Sequence, residues 1–361
     1  GVVTDKDDAS SQNNKNKETE LIVYNALRKT DTEQEATSGF LGNGNIERQN
    51  IYNVTFEKSI PNSMYNHIEK KIADNVRAWD ISAQGDQSII AWYVDSEIRN
   101  GTYKIHIATN EQVPGGSEIT NTEIFANQNS SYLFNYIGSS DKCTATEVIT
   151  NIELLDVNSV TNMSYMFSNT GYKAMTSLDL GAKFSTANVT DMSYMFNNTG
   201  ATAMTVLKLE DKFDTSKVEN MSHMFTNAGT TAMTSLDLGT KFDTSKVTDM
   251  SYMFSNTGKT AMTTLNIGTK FDTAKVTDMS YMFENTGATA MTALNLGDKF
   301  DTKNVENMSH MFAGAGAAVI TELNLGIKFY TSKVTDMTEM FNGTGLTAME
   351  TLDLGPAFTK I

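Results

Sequence analysis

Apolar residues in the second half of the chain recur in two patterns. In Val189, Met192, Met195 and Phe196 they fall at intervals of three and four, which puts them on one face of a short helix or 3₁₀ turn. Thr190 or Asp191 suits the start of that turn and Gly200 a left-handed C-terminal cap. In Met233, Leu236, Leu238 and Gly239 the two leucines flank one polar residue, which predicts a short strand with one buried face. A Lys-Phe-Asp-Thr turn from Lys241 to Thr244 returns the chain, with Phe242 expected to point inward.

Both patterns belong to one repeating unit. Val160, Val189, Val218, Val247, Val276, Val305 and Val334 lie 29 residues apart, as do the phenylalanines from Phe167 to Phe341 and the leucines from Leu178 to Leu352. One copy reads VTDMSYMFSNTGKTAMTTLNIGTKFDTAK, from Val247 to Lys275. Of the 21 methionines, 20 fall in these copies, at three fixed places, as expected of adaptable core filler. A degenerate copy precedes them: Ser131 to Phe134 matches the SYMF run, and Ile149, Ile152 and Leu154 match Met175, Leu178 and Leu180. One copy alone buries too little apolar surface to offset the entropy of ordering it, so the copies must stack. The expected fold class is an α/β solenoid of 29-residue coils, each with one short strand and one short helix, behind a small α+β N-terminal cap domain. No polar cap follows the last strand, so the natural protein is expected to continue past Ile361.

Residues 21–130 do not repeat and are expected to form the cap domain, after a disordered linker over 1–20; the repeats occupy 131–361. Thr19 to Lys29 and Asn62 to Val76 carry helical spacing. Ile51 to Phe56, Ser88 to Val94 and Tyr103 to Ile107 read as strands, with a turn at Asn100-Gly101 and a loop from Gly39 to Gly44. Asn110 to Ser130 reads as an irregular connection.

The M-x-x-L-x-L core and the unit from Leu236 to Phe254, repeated at Leu178 to Phe196, resemble the BspA-like leucine-rich repeat surface proteins of bacteria. The resemblance covers about residues 131–361; residues 79–107 more weakly resemble the region leading into such repeats. Each copy is longer than many of that family by an insert such as Asn256 to Ala261. The resemblance implies a secreted, cell-wall-attached protein that adheres to host or neighbouring-cell ligands and is not an enzyme.

The net charge of −15 argues against binding to nucleic acid or a membrane surface. No apolar run approaches the ~20 residues that span a bilayer, so no direct membrane insertion is expected. Cys143 is the lone cysteine, without a nearby His or a glycine elbow, and reads as passive. Of the four histidines, His67, His106, His223 and His310, the last two take the Tyr place of their copies. Gly39, Gly42 and Gly44 lack the strand–helix context of a phosphate loop. No metal or other cofactor is expected, and methionine spacing that could suggest copper reads as core packing.

Two ladders remain as candidate binding surfaces. The residue between the strand leucines points outward: Asp179, Lys208, Asp237, Asn266, Asn295, Asn324 and Asp353. Beside it run Ser177, Val206, Ser235, Thr264, Ala293, Glu322 and Thr351. The second ladder is aromatic: Tyr165, Tyr194, His223, Tyr252, Tyr281 and His310, ending in Glu339. Either ladder also reads as plain solvated or half-buried surface. The expectation is a monomeric bacterial surface adhesin that holds a protein or glycan, with a ligand-free stalk as the alternative.

Overall fold

The computed structural model describes residues 2–3, 22–23, 25–66, 68–69, 71–74, 76–110 and 123–359. Most of the expected linker, His67 and residues 111–122 of the expected connection lie outside these. Val2–Val3 pairs antiparallel with Ile22–Val23.

Five strands build the cap sheet, in the order Ile149–Thr150, Ile51–Phe56, Tyr103–Thr109, Ile89–Trp92, Ala78–Asp80. The first three are mutually parallel, and the last two alternate in direction. Ile51–Phe56 is buried at every position. Asn100 and Gly101 both take positive φ, and Arg99 and Thr102 exchange backbone hydrogen bonds of 3.0 and 2.9 Å, which closes the expected tight turn. Neither expected helix forms. The first segment holds the strand Ile22–Val23 and bridges at Ala26 and Leu27. The second is a 3₁₀ turn, Asn62–Met64, followed by an antiparallel pair of Tyr65–Asn66 with Lys71–Ile72. There Asn66 Oδ1 accepts from the amides of Ile68 and Glu69, so a side chain takes donors that a helix would use.

The repeats stack as coils, but the expected helix in each coil is absent. Among the described residues the only α-helix is Glu33–Thr37, outside the repeats, and the strands form small separate sheets. The fold is therefore not an α/β solenoid with a helix per coil. The V-x-x-M-x-x-M-F run is instead a chain of tight turns. Met166 N donates to Met163 O, Ser168 N to Tyr165 O and Thr170 N to Phe167 O. Tyr165 and Asn169 hold the third position of the first and last of these turns with φ of 59° and 58°, the type II arrangement. The intervening amides leave the coil: those of Met163, Tyr165, Phe167 and Asn169 donate to the carbonyls of Asp191, Ser193, Met195 and Asn197 in the next coil. An apolar spacing of three and four marks this ribbon as well as it marks a helix.

A continuous parallel ladder of bridges runs from Asn129 through Asn162, Asp191, Asn220, Asp249, Asp278 and Asn307 to Asp336. The Leu-x-Leu strands pair in register only two at a time: Ser177–Asp179 with Val206–Lys208, Ser235–Asp237 with Thr264–Asn266, and Glu322–Asn324 with Thr351–Asp353. In the degenerate copy the place of the Leu-x-Leu strand is a 3₁₀ turn, Ile152–Leu154, and the strand just before it, Ile149–Thr150, joins the cap sheet through Ile51–Phe56. Inside, Phe134, Phe167, Phe196, Phe225, Phe254, Phe283, Phe312 and Phe341 stack at 5.4–5.7 Å. A second column, containing Phe213, Phe242 and Phe271, stacks at 6.3 Å and leans on the first. Thr186, Thr215, Thr244, Thr273 and Thr302 are buried between coils, each hydroxyl donating to a carbonyl of the next coil. One hydrophobic cluster runs without a break from Leu27 in the cap to Met340 in the last coil.

Candidate functional site

The outward strand ladder is where the sequence places it. Asp179, Lys208, Asp237, Asn266, Asn295, Asn324 and Asp353 are all exposed, as are Ser177, Val206, Ser235, Thr264, Ala293, Glu322 and Thr351 beside them. The Asp and Asn residues also shape the backbone. Oδ1 of Asp179, Asp237, Asn266, Asn295, Asn324 and Asp353 accepts from the glycine amide two residues on, at 2.8–3.0 Å. Each closes an Asx turn and leaves its second terminal atom free of that task. The copy with Lys208 has no such acceptor, and there Glu210 replaces the glycine in the left-handed region at φ 66°. Glu210 and Asp179 share a hydrogen bond that holds the Glu210 carboxyl above its ordinary range. Asp237, Asn266 and Asn295, from three successive coils, line one surface depression of about 520 Å³ that ends at Asp298 and Lys299.

The aromatic ladder is one stack. Tyr165, Tyr194, His223, Tyr252, Tyr281 and His310 lie ring on ring at 4.2–4.4 Å and within 10° of parallel. Tyr132 adds a rung below Tyr165 at 4.6 Å, and His310 Nε2 lies 2.9 Å from a carboxylate oxygen of Glu339 above. The faces of the inner rings are thus spent on one another. Burial pushes the Tyr165 hydroxyl up to about 12 and lowers the His223 imidazole, so the stack favours neutral rings. Every rung from Tyr132 to Glu339 has a φ between 53° and 64°, a conformation that costs a bulky side chain energy.

Three groups in the cap and first coil have no clear sequence signature. Arg48 is fully buried. Its guanidinium donates to the carbonyls of Tyr132, Leu133 and Asn135, to Glu35 O and to Thr30 Oγ1. Leu133 O and Asn135 O correspond to the carbonyls that accept amides of the preceding coil elsewhere, so Arg48 stands in for the coil that is missing below. Burial brings it down to about 9, still protonated at neutral pH. His106 lies between Glu57 (Nδ1 to Oε1 2.8 Å) and Glu97 (Nε2 to Oε2 2.6 Å) and stacks on Trp92 at 5.3 Å. Cys143 is buried, its thiol donates to Gln49 O at 3.3 Å, and burial pushes it up to about 11, which leaves it protonated at neutral pH.

Among the described residues, no group of His, Cys, Asp and Glu is arranged to hold a metal ion, and no helix is long and apolar enough to cross a membrane. The family model described as "Mycoplasma protein of unknown function, DUF285" matches residues 138–261 and, overlapping them, 230–351. No curated protein and no solved structure matches the chain.

Proposed function

The chain belongs to that DUF285 family of bacterial repeat proteins, and on this premise we propose a binding protein, secreted and held at the cell surface, that recognises a host or neighbouring-cell protein or glycan. The observation that carries the reading is the depression spanned by Asp237, Asn266 and Asn295. The repeat period delivers the same exposed position to one face from successive coils, while every coil before the last keeps its Val, Met and Phe buried. A stacked column supplies rigidity, and its exposed residues change in charge and size from copy to copy where its core of Val, Met, Leu and Phe stays apolar, with no change larger than Leu to Ile267 or Met to Ile320. The likeness of Leu236 to Phe254 to BspA-like leucine-rich repeat surface proteins supports the surface location and the adhesive role.

Thr240→Arg with Thr269→Arg tests it. Both threonines line the depression and are exposed, and neither forms an Asx turn, so the double variant blocks the surface without disturbing the coil. Adhesion of the chain to immobilised extracellular-matrix proteins and glycans is expected to fall by about tenfold or more at an unchanged melting temperature. Unchanged adhesion would move the binding surface elsewhere. Adhesion by neither the parent nor the variant would favour the alternative of a stalk that spaces another domain from the cell.

A further inference from the structure

Where the cap meets the column, a second concavity of about 600 Å³ lies between the Glu33–Thr37 helix and the first rungs of the aromatic stack. That is the size of an ordinary small-ligand site. Tyr132, Tyr136 and Tyr165 contribute rings, Asn135 and Asn198 amides, and Glu33 a carboxylate. No Lys, Arg or His lines it.

Two details distinguish it from plain surface. Tyr132 is the terminal rung: Tyr165 covers one of its faces, and among the described residues no ring stacks on the other. Asn135 is only 3% exposed, and its Nδ2 donates to Ala36 O at 2.6 Å. A backbone carbonyl can only accept, so this bond fixes the amide orientation. Oδ1 is then left buried and without a partner. A buried acceptor without a donor costs on the order of 1–3 kcal/mol, and a ligand hydroxyl that displaced the atoms covering it from the cleft side would satisfy it.

We propose that this cleft binds a neutral saccharide, with a sugar ring extending the tyrosine stack at Tyr132 and its hydroxyls bonding Asn135, Asn198 and Glu33. The lining selects the class. Carboxylates without cations repel phosphorylated, sulfated or sialylated ligands, and the scarcity of aliphatic side chains disfavours an apolar peptide. Rings flanked by amides and a carboxylate match the alternating C–H faces and hydroxyls of a pyranose. The inference rests on reading the chain as a binding protein, but it places a ligand on a different surface from the strand-face depression.

The test is calorimetric titration of the full chain with neutral trisaccharides of glucose, galactose, mannose and N-acetylglucosamine, and with sulfated and sialylated controls. Binding of at least one neutral trisaccharide and of no anionic control is expected. Glu33→Arg, at an exposed rim position, and Tyr136→Asn should each weaken it about tenfold. Tyr136 has φ 64° at the place later coils fill with asparagines such as Asn169, so asparagine removes the ring without straining the turn. Thr240→Arg with Thr269→Arg should leave saccharide binding intact. No binding at millimolar saccharide, or binding indifferent to both cleft variants, overturns the proposal. In that event, adhesion that Thr240→Arg with Thr269→Arg abolishes would leave the strand-face reading standing.

Discussion

Arg48 shows how one residue closes an open stack. Every coil leaves carbonyls facing the coil below it, and the first coil has none below. Arg48→Met would keep volume and lose the donors, leaving Leu133 O and Asn135 O buried and unpaired. Each such carbonyl costs about 1–3 kcal/mol, so urea unfolding should show a loss of about 3 kcal/mol or more. His223 makes a second residue-level case. Its folded-state proton affinity is lowered by burial in the tyrosine stack. The unfolded chain therefore takes up the proton first as pH falls. The contribution of His223 is complete above the unfolded value of about 6.5 and is lost as the pH drops through the lower folded value. His223→Tyr makes the stack uniform and removes this loss. Melting curves at pH 8 and pH 5 should lie closer together in the variant than in the parent, by a few degrees. An equal gap in both would show that His223 titrates as it does in the unfolded chain.

At the scale of the element, the turn ribbon explains which features of each coil could be read ahead of the structure. The Leu-x-Leu strand was legible in six of the seven regular coils, because alternation with one buried face has few other interpretations; the coil around Leu294 keeps the buried leucine but forms no strand. The helix was misread, because apolar spacing alone does not separate a helix from alternating type II turns. Asn169 and Gly171 are residues that take left-handed φ readily, two apart, and no helix interior tolerates both in that conformation. The tyrosines gave no such signal, since stacking holds them where their own preference would not. The glycines separate two causes of constraint. At Gly258, φ is 51° and an added Cβ would stand 2.3 Å from the Met262 Cβ. At Gly239, φ is 82° but no atom lies within 4 Å. Gly239→Ala should therefore cost only its backbone strain, about 1–2 kcal/mol, and Gly258→Ala clearly more, because the core must shift as well. Equal losses in urea unfolding would mean that Met262 can move aside freely.

At the scale of the molecule, the repeat period made the column and its exposed face legible, whereas the cleft and Arg48 were hidden. Both depend on contacts across some 85 positions of sequence, such as Arg48 to Leu133, and a lone arginine before a strand gives no periodic signal. That same contact ties the two halves together mechanically. The hydrophobic cluster crosses from Leu27 to Met340 without a gap, and Arg48 bonds the cap to the first coil from within it. Both tryptophans, Trp79 and Trp92, lie in the cap, so indole fluorescence reports the cap, while far-ultraviolet circular dichroism reports mainly the more numerous repeat residues. Nearest-neighbour stacking transmits stability along the column, and the shared core transmits it into the cap. Heating should therefore give fluorescence and dichroism transitions that coincide within about 2 °C. Arg48→Met should split them, with the fluorescence transition moving to lower temperature, because the sheet would lose its buried polar tie to the first coil and keep only the Ile149–Thr150 pairing and the shared core, while the coils kept all their ties to one another. Transitions already separate in the parent chain would show that the continuous core couples cap and column too weakly to make them one cooperative unit.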